Sequence, residues 1–165
     1  MSSDNSNSIQ TLRSKIEHIH FCMMTTINED LSLSSRPMTA QATDDDGIMW
    51  FFVSSNSQLA LDLTRHPKTN VSFADPSDNL YIAIAGTVEL VKDQAKEKQL
   101  WTSQVAAWFP SGLDDPQLSL IKLHIHLAEI WDSKTNKMDM LYQMAKAAIT
   151  GEHQQNLGEH AKLQF

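Results

Sequence analysis

Residues 31–63, LSLSSRPMTAQATDDDGIMWFFVSSNSQLALDL, leave this chain few choices of fold. At positions 48–53 the run Ile-Met-Trp-Phe-Phe-Val is nearly unbroken apolar and aromatic, the pattern of a buried strand. Just before it, Asp44-Asp45-Asp46-Gly47 reads as a hairpin turn in which Gly47 is free to take positive φ. Positions 32–43 alternate polar residues with small or apolar ones, the period of a half-buried strand. Pro37 lies inside that strand and cannot donate to a ladder, so the strand is expected at a sheet edge or with a bulge. After the apolar run, Ser54-Ser55-Asn56-Ser57 opens onto positions 58–66, where Leu59 and Leu63 lie one helical turn apart and Ser57 is the natural N-cap.

The same order of pieces makes a plausible anion site. A helix N-terminus offers unpaired N–H groups and a positive dipole end, serine hydroxyls surround it, and Arg36 on the adjacent strand could close the cage. Taken alone, these residues are equally well described as a capped helix and a surface arginine.

Length suits one domain with its own core. The formal net charge of −7 argues against nucleic acid as the main partner, because phosphate backbones select basic faces. No apolar run reaches membrane-spanning length, and positions 1–8 are polar rather than signal-like, so no membrane association and a cytoplasmic location are expected. Cys22 is the only cysteine, which leaves no disulfide or thiolate metal cluster; it reads as a small core residue.

Along the chain, positions 1–8 read as a disordered leader, 9–151 as the domain and 152–165 as a flexible tail. Ile9, Leu12, Ile16 and Ile19 recur at helical spacing, with His18 and His20 too close in sequence to share a face of that helix. Positions 21–27 form a first strand, 71–74 a short one, and 80–91 a long one whose Gly86 marks a bulge or close approach. A helical stretch from Asp93 carries Leu100, Trp101, Val105 and Trp108. The last strand, 118–131, places Ile121, Leu123, Ile125 and Leu127 on one face, with Lys122, His124 and His126 on the other. Two histidines without a third ligand do not make a zinc site, so no metal is expected. Met138, Leu141, Ala145 and Ala148 mark a closing helix before Gly151. The expected fold is mainly β (α+β): a small six-stranded antiparallel barrel with flanking helices, which the resemblance given below makes a split β-barrel. Glycine-rich dinucleotide turns, phosphate loops, HExxH and nucleophile elbows do not occur.

The pieces resemble, in collinear order, the general stress protein 26-like branch of the pyridoxamine 5'-phosphate oxidase-like FMN-binding split barrels. The matching residues are Arg36-Pro37-Met38, Trp50-Phe51-Phe52, Ser54 and Ser57, Asn70 through Pro76, Gly86-Thr87-Val88-Glu89, Trp101, Ala107-Trp108-Phe109-Pro110, Asp114-Asp115-Pro116, Trp131-Asp132 and Met144-Ala145-Lys146-Ala147. The resemblance implies a homodimer with flavin mononucleotide (FMN) at its interface. Arg36, Pro37, Met38 and Thr39, on to Gln41, would then run along the ribityl chain and ring edge, Phe52, Val53 and Ser54 would contact ring and chain, and Ser57, Gln58 and Leu59 would meet the phosphate. Tyr81, Trp108 and Trp131 would reach the site from the second subunit.

The implied function is that of a stress-related flavoprotein, an oxidoreductase drawing electrons from NAD(P)H. The alternatives are a module that holds flavin without turnover, or a haem-handling split barrel using His153 and His160 of the tail. Two departures from the family pattern matter. Leu59 stands where relatives commonly have lysine, beside Gln58, and Val53 where threonine is usual. The tail GEHAKLQF lacks the basic, His-containing substrate segment of true pyridoxamine phosphate oxidases, which argues against that activity. No side chain stands out as a general acid or base, and catalytic residues are left unassigned.

Overall fold

The apolar run becomes strand β4 (Ile48–Ser54), whose five central residues are all buried. Successive side chains of a strand point to opposite faces, so burial of all five requires cover on both sides. Met49, Phe51 and Val53 enter the main core, while Trp50 and Phe52 enter a second cluster with Leu100, Val105, Leu118 and Leu120. At about 1.5–3 kcal/mol for each large apolar side chain removed from water, this strand anchors both cores.

The computed structural model describes residues 2–133 and 159–165. Among these, β1 (Cys22–Ile27), β2 (Leu33–Met38), β3 (Ala42–Thr43), β4, β5 (Lys68–Asp75), β6 (Leu80–Val91) and β7 (Leu118–Asp132) form one antiparallel sheet. Their order is β2-β1-β5-β6-β7-β4-β3, and an eighth strand, β8 (Glu159–Gln164), pairs with β7. The two ends of that order, β2 and β3, are separated by residues 39–41 alone. Edges so close in the chain force the sheet to curl, which gives the split barrel with flanking helices.

The alternating stretch expected as one strand is thus divided between the two edges. Pro37 sits in edge strand β2 opposite Met23, where its missing N–H costs no ladder bond. The acidic turn forms as expected: Gly47 has φ +75° and its amide donates to the Asp44 carbonyl at 3.1 Å. Asp44 also accepts from the Trp50 indole N–H at 2.7 Å and pairs with Lys96 at 3.0 Å, tying the turn to α3 (Gln94–Leu100).

Several expectations are corrected. Helix α1 (Ser2–Ile16) begins within the leader expected to be disordered, a segment free of proline and glycine that lets the helix propagate. It ends before His18 and His20, which therefore are not helical. The helical stretch from Asp93 is two helices, α3 and α4 (Ser103–Trp108), because Thr102 caps a new start: its hydroxyl accepts from the Val105 amide at 3.2 Å. Within the tail, Glu159–Gln164 form a strand. There β8 adds to the free edge of β7, with Leu163 and Phe165 against the main core. The expected closing helix lies outside the described residues.

Gly86 fulfils both roles expected of it. The β6–β7 register shifts between Ala85 and Gly86, and a Cβ at Gly86 would stand 2.2 Å from the His124 carbonyl oxygen. The shift leaves His126 as the extra residue of β7 and reverses its alternation: Ile121, Leu123 and Ile125 are buried as expected, but beyond the bulge Ala128 and Ile130 face the core in place of Leu127.

Gly86→Ala is expected to cost about 3 kcal/mol or more, since backbone rather than a movable side chain blocks the methyl. Gly112→Ala, at φ +73° with open space around it, is expected to lose about 1–2 kcal/mol. Urea unfolding of the two variants checks the order. Cys22 is buried, and desolvation pushes its thiol up to about 12 from the ordinary 9.0. Its neutral form is favoured in the folded state, so stability is expected to hold below pH 9 and to fall as pH rises from there toward 12. Native protein at pH 8 is expected to resist thiol reagents that label it at once in denaturant.

Candidate functional site

Helix α2 (Gln58–Arg65) starts where β4 ends. Ser57 is its N-cap, in extended conformation, with Oγ accepting from the Ala60 amide at 3.2 Å. First-turn amides have no intrahelical acceptor, so those of Gln58 and Leu59 remain available beside the cap. Arg36 on β2 approaches the same place. Its Nη1 donates to the Thr26 hydroxyl at 2.8 Å, and among the described residues no carboxylate forms an ion pair with it.

A groove of about 430 Å³ gathers these pieces, within the range of small-molecule sites. It is lined by Arg36, Pro37, Met38, Thr39, Phe52, Val53, Ser54, Ser57, Leu59 and Trp108, ten of the residues singled out in the sequence. Phe21, Gln41, Val105 and Phe109 complete it. Phe52 forms the wall, held edge-on to Trp101 (centroids 5.6 Å apart, planes at 88°) and tilted against Phe109 (6.0 Å). Trp108, 78% exposed, stands at the lip of its own chain's groove, although it was expected to arrive from a second subunit. The groove therefore has an apolar aromatic wall at one end and, at the other, a capped helix start beside an arginine that pairs with no carboxylate among the described residues.

Gln58 turns away: its amide donates to Asp62 at 2.8 Å, and both line an adjoining cavity of about 560 Å³ with Asn28, Glu29, Asp30 and Ser34. Arg36 and Leu59 line both cavities. Asp30 accepts from the Ser32 hydroxyl and amide, and the first of these bonds does most to hold its carboxyl below the usual range. Tyr81 and Trp131 face each other across β6 and β7, exposed and outside the groove. Trp131 stacks on His160 (5.0 Å, 7°), while His153 lies outside the described residues. Among the described residues no three His, Cys, Asp or Glu side chains gather as a metal site, and no helix is long and apolar enough to cross a membrane.

Of the other four lining residues, Gln41 ends the run from Arg36, Val105 and Phe109 lie one helical turn apart, and Phe21 immediately precedes β1.

Comparison with known proteins places these features. The model of the family described as "Pyridoxamine 5'-phosphate oxidase like" matches residues 7–155. A candidate general stress protein 26 from Jannaschia sp. CCS1 is 26% identical with a TM-score of 0.73, over 97% of this chain and 99% of that one. The general stress FMN/FAD binding protein of Xanthomonas citri is 29% identical with a TM-score of 0.64, over 82% and 93%. A Clostridium acetobutylicum protein related to general stress protein 26 shares the fold at 19% identity, with a TM-score of 0.67 over 79% and 92%. No curated protein sequence matches the chain.

Ser57→Ala removes the cap of α2 and is expected to lower stability by about 1 kcal/mol, read as a shift in the urea midpoint at unchanged m-value.

Proposed function

We propose, from the premise that this chain belongs to the pyridoxamine 5'-phosphate oxidase like family, that it binds a flavin nucleotide in the groove between β2, β4 and α2. The single observation that carries this is the pairing of an aromatic wall with an arginine that, among the described residues, forms no ion pair with a carboxylate. A phosphorylated flavin needs both: a flat apolar surface for the ring and positive charge for the phosphate. In this reading Phe52 and Trp108 flank the ring, residues 36–39 run along the ribityl chain and ring edge, and Arg36 with the first-turn amides of α2 and Ser57 receives the phosphate. The Xanthomonas citri relative, an FMN/FAD binding protein, supports a flavin. FMN is the form proposed here.

When bound, a flavin supplies electron-transfer chemistry in its own ring, so the chain's residues need only bind, orient and shield it. An oxidoreductase using NAD(P)H follows as the proposed activity. A homodimer is proposed with it, because Tyr81 and Trp131 lie exposed outside their own chain's groove and could line a flavin site only from a second copy. A cytoplasmic location is proposed on the same footing.

The visible absorption spectrum and a titration with FMN test the reading. Wild type is expected to bind FMN, and Arg36→Ala to weaken it by one to two decades, the worth of a charged hydrogen bond at about 1.5–3 kcal/mol, with riboflavin little changed. Absence of any flavin binding by wild type would overturn it. Leu59→Lys is expected to tighten FMN and to leave riboflavin unchanged; equal tightening of both would show that this position does not face the phosphate.

A further inference from the structure

The core-facing positions of β1 are Cys22, Met24 and Thr26, and Thr26 is 1% exposed. Valine would pack there equally well and bury no hydroxyl, so the hydroxyl needs another reason. Its described partner is Arg36, whose Nη1 it receives at 2.8 Å. Arg36 lies at the junction of two cavities, and the second is lined by Glu29, Asp30 and Asp62. Each of these carboxylates already has a partner: Arg65 for Glu29, Ser32 for Asp30 and Gln58 for Asp62. None forms an ion pair with Arg36.

We propose that Thr26 is a positioning residue that holds the Arg36 charge toward the groove and keeps it from pairing with the carboxylates of the adjoining cavity, which it also borders. A guanidinium is a rigid fork, so fixing one N–H sets where the others point. Loss of the hydroxyl frees a long side chain that already borders the cavity lined by three acidic groups, Asp62 nearly fully buried among them. An anion entering the groove would then have to compete with those carboxylates for the same charge. The inference rests on the flavin reading above and adds to it a residue that touches no ligand.

Thr26→Val and Thr26→Ser, each titrated with FMN and with riboflavin, test it. Thr26→Val is expected to weaken FMN about tenfold and riboflavin less than about twofold, because only the phosphate depends on Arg36. Thr26→Ser keeps the hydroxyl and is expected to restore FMN affinity, whatever the lost methyl does to the melting temperature. Adding Asp62→Asn to Thr26→Val is expected to recover part of the loss. An unchanged ratio of FMN to riboflavin affinity in Thr26→Val, or failure of serine to rescue, would overturn the role of Thr26 while leaving flavin binding intact. Failure of wild type to bind either flavin would instead overturn the reading on which the role rests.

Discussion

The structure depends on burying both faces of β4. A strand in a closed barrel normally shows one face to the interior and the other to water, and Trp50 and Phe52 would be costly on a wet outer face. They are covered by the α3–α4 excursion, whose Leu100, Trp101, Val105 and Phe109 join them in one cluster with Leu118 and Leu120 of β7. The second cluster is therefore a consequence of β4. So is the groove, since its wall is the part of that cluster where the cover stops and Trp108 is left at the edge.

Closure of the sheet supplies the other half of the site. Residues 39–41 link the two edge strands, and the Gln41 amide bonds to the Trp50 carbonyl at 2.8 Å as the chain crosses. This crossing sets Arg36 on one edge against the end of β4 and the cap of α2. Because β2 is an edge strand, Pro37 is tolerated in it and its outer side stays unpaired. Arg36, a charge in an otherwise apolar groove, is stable there because the groove is open and Thr26 accepts one of its N–H groups.

Features set by a few adjacent residues were legible in the sequence. The Asp44–Gly47 turn, the Ser57 cap, the edge position implied by Pro37 and the bulge at Gly86 each follow from local backbone chemistry, whereas the lining of the groove was named through the family resemblance. What could not be read depends on partners distant in the chain. The bulge reverses the faces of β7 after His126, and strand periodicity has no means of locating that step. The tail sequence His160-Ala161-Lys162-Leu163-Gln164-Phe165 does alternate, but only the free edge of β7 makes a strand of it. Thr102 starts a new helix inside a pattern that looks continuous, because a cap is a one-residue signal. Tyr81 and Trp131 fall outside the groove since register places them on the far half of β6 and β7.

Leu59 shows how the two demands on α2 compete. Its side chain packs against the main core and also borders both cavities, at the helix start where an anion would sit. A basic residue there would add charge to the phosphate end but give up apolar contact with the core. With leucine in place, the helix is seated by packing, and in the proposed site a phosphate would rest on one arginine, the first-turn amides of α2 and a serine. Arg36 is the one lysine or arginine among the residues lining the groove, so binding of an anion as proposed would depend on its exact placement. A buried hydroxyl on β1 that does nothing for packing is the kind of residue such a site needs.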